Sequence, residues 1–248
     1  QVIQRLVRDF RCAPRAPASS PLRPPPHEAF NVVIMATLTF LAGTFLSALQ
    51  PTCLELAAEV TLQPVRRFGL DAAIIFSDLL VTLPPSGFDV EFVKNKGPVV
   101  HEPIHKASDV DRLRPVDARD ALAYVGEAVK LTAAALPKDV PLIGFAGAPW
   151  TVATYMIAGQ GTKDQGPAHL LRTQDNALFE KLLDLITKAT IEYMSAQIDA
   201  GAEVMKIFDS WAGSLPGDAF EKYALAPARE ITQELKKHHP GIPIIGFP

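Results

Sequence analysis

The stretch Pro141–Gly159, which reads PLIGFAGAPWTVATYMIAG, decides the fold class. Its first part, Pro141–Phe145, is a short apolar run, and such a run is typical of a strand that is buried on both faces of a parallel sheet. The sequence Gly-Ala-Pro-Trp at Gly147–Trp150 follows the run and opens a helical pattern. The stretch therefore predicts a strand, a tight turn and a short helix that carries Tyr155.

Three further runs have the same apolar character, and helical patterns separate all four. The further runs are Ala72–Phe76, Val204–Phe208 and Pro243–Phe247. The helical patterns are Leu54–Phe68, Asp117–Leu136, Asn176–Ala200 and Asp218–His239. Strands that alternate with helices form βαβ units, so the sequence predicts an α/β protein with a parallel sheet, either a barrel or a doubly wound sheet. No GxGxxG motif follows any of these runs, so a dinucleotide-binding fold has no positive support.

Polar side chains follow the predicted strands at the points where the strands end. Ser77 and Asp78 follow the first strand, Tyr155 lies on the helix after the second, and Asp209 and Ser210 follow the third. In parallel α/β folds, ligands bind beyond the carboxyl ends of the strands. An Asp or Ser at such a position is also a common helix cap or turn residue. The residues alone therefore predict a binding site whose chemistry is open.

Five segments resemble the uroporphyrinogen decarboxylase family in their residues, order and spacing. They are LAAEVTLQPVRRF (Leu56–Phe68), LDAAIIFSDLL (Leu70–Leu80), KGPVV (Lys96–Val100), PLIGFAGAPWTVATYMIAG (Pro141–Gly159) and KIFDSWAG (Lys206–Gly213). The resemblance covers residues 52–248 and implies a (β/α)8 TIM barrel, a site at the carboxyl-terminal rim of its strands and a homodimer. Related corrinoid methyltransferases share the barrel but use a metal-binding His/Cys motif, and the sequence contains no such motif.

The resemblance implies a carboxy-lyase of haem and chlorophyll biosynthesis that works without a cofactor or metal. Such an enzyme removes the four acetate carboxyl groups of the tetrapyrrole uroporphyrinogen III and forms coproporphyrinogen III. Asp78 matches the family aspartate that binds the pyrrole nitrogens, and we expect it to be catalytic. Tyr155 and Ser210 match residues that hydrogen-bond substrate carboxylates, and Phe145 and Phe208 are expected beside the macrocycle. The alternative is a catalytically dead homologue that binds a tetrapyrrole or a protein partner.

Residues 1–51 do not resemble the family, so the sequence divides into a leader, 1–51, and a partial barrel domain, 52–248. Residues 1–27 are rich in Pro and Arg and predict a disordered tail or an organelle-targeting peptide, so we expect the cytoplasm or a chloroplast as the location. The apolar segment 32–49 is long enough to cross a bilayer. The sequence is compatible with three interpretations of this segment: a spanning or signal-like helix, a buried or interfacial segment, and a sequence that is not native to the protein.

Composition and spacing exclude several classes of protein. A net charge of −3 gives no reason to expect binding to nucleic acid, and two cysteines in 248 residues exclude a disulfide scaffold. The segment His101–His105 reads HEPIH and matches the HExxH pattern of zinc proteases. Pro103 prevents the helix that would bring both histidines to one face, so we expect no metal site. Cys12 and Cys53 lack partners at metal-ligand spacing, and we expect both to be structural.

The sequence predicts an incomplete barrel of about four strands. Residues 1–51 lack the family's Arg-Gln-Ala-Gly-Arg motif, and the sequence ends at Pro248 on the fourth predicted strand. An unpaired parallel edge favours association, so we expect the chain alone to be unstable, aggregated or inactive. Size-exclusion chromatography, thermal unfolding and an assay for coproporphyrinogen test this expectation. A monomer that unfolds cooperatively and forms coproporphyrinogen would contradict it.

Overall fold

The computed structural model describes residues 54–93 and 96–248. The predicted tail 1–27, the apolar segment 32–49, and Cys12 and Cys53 lie outside the described residues. None of the helices in the described part is both long and apolar enough to span a bilayer.

The described part of the chain alternates between strands and helices. The strands are β1 (Ala73–Ile74), β2 (Val90–Val93), β3 (Gly97–Val100), β4 (Leu142–Gly147), β5 (Val204–Phe208) and β6 (Ile244–Phe247). The α-helices are α1 (Leu54–Phe68), α2 (Ala107–Val110), α3 (Ala118–Ala121), α4 (Ala123–Ala135), α5 (Pro149–Ala158), α6 (Gly166–Gln174), α7 (Asn176–Asp199), α8 (Gly217–Phe220) and α9 (Ala226–His238). A 3₁₀ turn at Ala212–Ser214 precedes α8, and a π-helical turn at Glu221–Leu225 joins α8 to α9.

The main sheet has four parallel strands in the order β1–β4–β5–β6. Strands β2 and β3 form a separate antiparallel hairpin. Each strand of the main sheet lies beside the strand of that sheet that follows it along the chain. This is the strand order of a barrel, whereas a doubly wound sheet reverses its strand order at a switch point. The predicted parallel α/β class is therefore confirmed, and the strand order favours the barrel over the doubly wound sheet.

Two predicted helices are interrupted, each for a local reason. Asp117–Leu136 divides into α3 and α4 at Leu122, whose backbone φ of −116° and ψ of 24° are not helical. In Asp218–His239, the π-helical turn lies just before Pro227, which has no N–H group to donate to the carbonyl one turn earlier. The hairpin β2–β3 and helix α6 were not predicted from the sequence.

Strand β1 is shorter than the predicted Ala72–Phe76 because the chain turns away from β4. Ile75 still donates its N–H to the carbonyl of Ile143 at 2.9 Å. The next N–H, that of Phe76, donates instead to the Thr61 hydroxyl on α1 at 2.9 Å. The two strands therefore separate toward their carboxyl ends.

The side chain of Gln197 on α7 fills the gap between the separating strands. Its Oε1 accepts the N–H of Phe145 at 3.1 Å, and its Nε2 donates to the carbonyl of the same residue at 2.9 Å. One amide side chain thus satisfies both backbone groups that a longer β1 would pair. Tyr193, one turn earlier on α7, places its phenol oxygen 3.3 Å from the Ser77 hydroxyl. Side chains of helix α7 therefore fill the gap between the carboxyl ends of β1 and β4. We call this gap the β1–β4 seam.

A second hydrophobic core contains much of α5 together with residues of α7 and β3. Trp150 and Phe179 are fully buried there, with ring centroids 5.8 Å apart at 65°. An isolated bridge between Val99 and Gln160 ties the hairpin to the loop after α5. These contacts fix the helix that carries Tyr155 over the end of the sheet.

We expect Gln197→Met to destabilise the protein by about 2 to 5 kcal/mol, because it leaves the buried N–H and carbonyl of Phe145 without partners. Urea denaturation followed by circular dichroism measures this change. Gln233→Met on the exposed face of α9 is the control and is expected to stay within about 0.5 kcal/mol of the wild type. Equal stability of the two variants would contradict the role given to Gln197.

Candidate functional site

Asp78 lies just beyond β1, in a turn that closes over the end of β4. Its Oδ1 accepts the N–H of Leu80 at 2.6 Å, which is the geometry of an Asx turn. Gly147 at the end of β4 allows this close packing, since a Cβ there would lie 2.9 Å from the Leu79 carbonyl oxygen. Asp78 is 8% exposed, so its carboxylate is almost completely removed from water.

Burial raises the pKa of Asp78 from 3.8 to about 6, although the Leu80 N–H opposes the shift. The carboxylate is therefore mostly ionised at neutral pH but close to its titration range. A buried anion at the end of a parallel strand is suited to stabilise positive charge on a bound ligand.

Three tyrosines on separate helices lie close enough to Asp78 for its charge to raise the pKa of their phenols. Burial is the larger cause in each case; it raises the pKa of Tyr124 on α4 to about 12 and also raises the pKa values of Tyr155 on α5 and Tyr193 on α7. All three phenols are protonated at neutral pH and able to donate hydrogen bonds. Sequence reasoning found Tyr155 alone, because Tyr155 lies on the helix directly after a predicted strand and matches a family residue, whereas Tyr124 and Tyr193 have neither signal.

Tyr155 also lies beside Trp211, which comes from the loop after β5. The Trp211 indole approaches the phenol closely enough to lower its pKa. The indole N–H is nevertheless buried and makes no hydrogen bond of good geometry with the described residues. The two residues thus bring the ends of β4 and β5 together.

Asp209 joins the same two strand ends by hydrogen bonds. It is 5% exposed, and its carboxylate accepts the Thr151 hydroxyl at 2.6 Å. Burial raises its pKa to about 6, which the Thr151 hydroxyl and N–H oppose. The N-cap residue of α5, Ala148, has no side-chain oxygen, so Asp209 caps the helix from the neighbouring strand.

Ser210 is exposed and follows Asp209 directly, in a loop fixed by backbone contacts. The Thr151 hydroxyl accepts the Trp211 N–H at 3.1 Å, and the Trp211 carbonyl accepts the Trp150 indole N–H at 2.9 Å. These contacts hold the Ser210 backbone relative to the helix of Tyr155, while the Ser210 side chain is open to solvent.

Phe145 and Phe208 lie on one face of the sheet and pack edge to face, with ring centroids 5.3 Å apart at 88°. Phe247 on β6 continues the row, with its centroid 5.8 Å from that of Phe208. Phe145 and Phe208 are 2% and 4% exposed. The structure therefore places both predicted macrocycle neighbours in a packed aromatic row, which we call the phenylalanine row.

The HEPIH segment is not helical. His101 contacts Glu91 of the hairpin at 3.2 Å, and Glu102 has a φ of 53°. His101 and Glu102 line a surface cavity of about 300 Å³ that also contains Asp109 and Arg112. Across residues 54–93 and 96–248, no group of three or more His, Cys, Asp or Glu side chains is placed to hold a metal ion.

The structure thus brings Asp78 and Tyr155 together with two unforeseen tyrosines, and it places Ser210 at the end of the next strand. The fold and this site define a barrel-type α/β protein with a buried carboxylate at the carboxyl ends of its strands. The family model described as uroporphyrinogen decarboxylase (URO-D) matches residues 42–248, which includes the end of the apolar segment 32–49. The chain belongs to the uroporphyrinogen decarboxylase family.

Curated relatives agree with this assignment. Proteins described as uroporphyrinogen decarboxylase from Ruegeria pomeroyi and Roseobacter denitrificans are 60% and 58% identical to the chain over 208 residues, and one from Paracoccus denitrificans is 54% identical. Each match covers 84% of this chain and 60% of the relative. The chain therefore spans about three-fifths of the length of these relatives.

A solved structure shows the same fold at lower similarity. A methyltransferase from Methanosarcina mazei superposes with a TM-score of 0.58 at 23% identity. The match covers 81% of this chain and 58% of the methyltransferase. This likeness supports the fold and carries no information on activity.

We expect Asp78→Asn to raise the free energy of unfolding at pH 7 by about 2 to 3 kcal/mol, because it removes a buried charge and keeps the acceptor for the Leu80 N–H. Between about pH 4 and pH 6, folded wild-type protein binds more protons at Asp78 than the unfolded chain does, so wild-type stability falls as pH rises. The gain is therefore expected at pH 7 and lost at pH 4.

Urea denaturation at both pH values measures this difference. Asp139→Asn in an exposed turn is the control and is expected to follow the wild type at both. A gain of equal size at pH 4 and pH 7 would contradict the account of Asp78 as a buried anion.

Proposed function

We propose that the protein is a uroporphyrinogen decarboxylase, which converts the four acetate side chains of uroporphyrinogen III to methyl groups and forms coproporphyrinogen III. The observation that carries the proposal is the buried Asp78 carboxylate at the end of β1, in a chain of this family. A buried carboxylate with three nearby phenols suits a ligand that becomes cationic at its centre and carries carboxylates at its edge.

The reaction needs a place for the electron pair that carbon dioxide leaves behind. Protonation of a pyrrole ring at its α-carbon makes the ring cationic. The bond between the acetate methylene and its carboxyl group then breaks, and its electron pair neutralises the ring. A proton added at the exocyclic carbon gives the methyl group, and loss of the first proton restores the pyrrole. The protonated ring acts as the electron sink, so this chemistry calls for no cofactor.

Asp78 would accept hydrogen bonds from the pyrrole N–H groups and stabilise the cationic ring. Its burial strengthens this interaction, because few water molecules screen the charge. An ionised Asp78 is required, so the proposal predicts that catalysis declines as pH falls through about 6.

Tyr155 and Ser210 would hydrogen-bond carboxylates at the edge of the substrate. The Tyr155 phenol is protonated at neutral pH, and the Ser210 side chain is exposed in the loop after β5. Phe145 and Phe208 would support the macrocycle from the phenylalanine row, with Phe208 nearer to Ser210 along β5. These roles account for a ligand with an apolar ring and an acidic periphery.

We further propose a homodimer, as in the family, and a location in the cytoplasm, with the chloroplast as the alternative. The relatives named above come from bacteria, which favours the cytoplasm. Sedimentation of the purified protein tests the dimer.

The activity test uses the chain itself and a chimera in which residues 54–248 replace the matching part of the Ruegeria pomeroyi relative. We expect the chimera to form coproporphyrinogen and its Asp78→Asn variant to lose at least about 100-fold in kcat, since Asp78 interacts with developing charge. The product is separated by chromatography after oxidation to the porphyrin.

Asp139→Asn in the exposed turn before β4 is the matched control and is expected to keep the activity of the chimera. Near wild-type turnover by the Asp78→Asn chimera would overturn the role of Asp78. A chimera that binds uroporphyrin without turnover would instead identify a catalytically dead homologue.

A further inference from the structure

Lys206 lies in the middle of the sheet, on the face that carries the phenylalanine row. It pairs in register with Phe145 on the neighbouring strand and is two residues from Phe208, so the three side chains project to the same side. Its ammonium nitrogen lies 4.5 Å from the ring centroid of Phe208 and 4.4 Å from that of Phe247. The cation is therefore inserted between two aromatic rings of the row.

The ammonium group has aromatic contacts but no charged partner in the part of the chain that the structure describes. Its side chain is only partly exposed, and burial alone lowers its pKa, with no contribution from any carboxylate. A cation–π contact does not replace the hydrogen bonds that an ammonium group makes with its three donors. Since a partly buried cation without an anion is unfavourable, a ligand that supplies an anion would complete the site.

We propose that Lys206 binds a carboxylate of the tetrapyrrole substrate. The proposal rests on the proposed function, because it takes uroporphyrinogen as the ligand. A macrocycle placed against Phe208 brings its edge close to the ammonium group, which touches the same ring. The acetate and propionate groups at that edge supply the anion that the described residues do not.

The positions of Lys206 and Asp78 fit opposite parts of one ligand. Strand β4 lies between β1, which Asp78 follows, and β5, which carries Lys206. Asp78 attracts the N–H groups at the centre of the macrocycle, and Lys206 attracts an acidic group at its periphery. Asp78 near the centre of the bound ring and Lys206 near its edge together fix the orientation of the ring, which neither charge fixes alone.

The experiment measures uroporphyrin binding to the full chain by quenching of tryptophan fluorescence. The chain has two tryptophans, Trp150 and Trp211, and both lie at the site. We expect Lys206→Met to raise the Kd about tenfold or more, because a charge-assisted hydrogen bond is lost, and to reduce the salt dependence of binding. Lys206→Arg is expected to keep the Kd within about threefold, because it retains the cation.

Lys188→Met is the matched control, since Lys188 is an exposed lysine on α7 that pairs with Asp184 at 2.6 Å. It is expected to bind uroporphyrin like the wild type. A thermal unfolding scan accompanies each variant. The Met side chain fills a similar volume between the rings, so we expect Lys206→Met to keep or raise the melting temperature.

Three results would overturn the proposal, and they are distinguishable. Unchanged affinity of Lys206→Met would reject Lys206 as a ligand for carboxylate and leave the proposed function intact. A lower melting temperature in Lys206→Met with full affinity would show that the lysine serves the fold through its aromatic contacts. No uroporphyrin binding by either the wild-type chain or the chimera would reject the tetrapyrrole as ligand and, with it, both proposals.

Discussion

The pairing of the Gln197 amide with the backbone of Phe145 is the interaction on which the rest of the site depends. It allows β1 to leave the sheet after Ile75 without exposing unpaired groups on β4. A parallel strand that stayed paired to its end would keep Ser77 and Asp78 within the sheet. Because β1 departs early, the turn at Asp78 folds over the end of β4 and the carboxylate enters a closed environment.

The burial of carboxylates in this arrangement lowers the free energy of unfolding. Asp78 and Asp209 are both buried, and burial raises the pKa of each to about 6. Each keeps a small number of donors, from the Leu80 N–H and from Thr151, that offset part of the desolvation. Their contacts differ: Asp209 accepts hydrogen bonds from the hydroxyl and the N–H of Thr151 on the helix that it caps, whereas Asp78 accepts the Leu80 N–H of its own turn. Asp209 therefore stabilises the fold, whereas Asp78 is available to bind a ligand.

Local pattern was enough to predict the four strands of the main sheet and most helices, because buried parallel strands are short apolar runs and their helices carry clear periodicity. The bounds of β5 and α1 agree with the runs Val204–Phe208 and Leu54–Phe68. The early end of β1 was not predictable, since it depends on Thr61 and Gln197, which are remote in sequence. Asp78 and Tyr155 were found through strand ends and family resemblance. Tyr124 and Tyr193 were missed because a helical tyrosine is usually a core residue, and only the packing brings them toward Asp78.

Helix α7 connects the outer layer of the fold to the inner face of the sheet. Tyr193 and Gln197 are four residues apart, so they lie on one face of the helix and enter the β1–β4 seam together. Gln197 fixes the backbone of Phe145, whose ring packs against Phe208. Phe208 in turn contacts the Lys206 ammonium group from the same strand. The separation of the two strands is thus linked to the phenylalanine row through one continuous set of contacts that begins on helix α7.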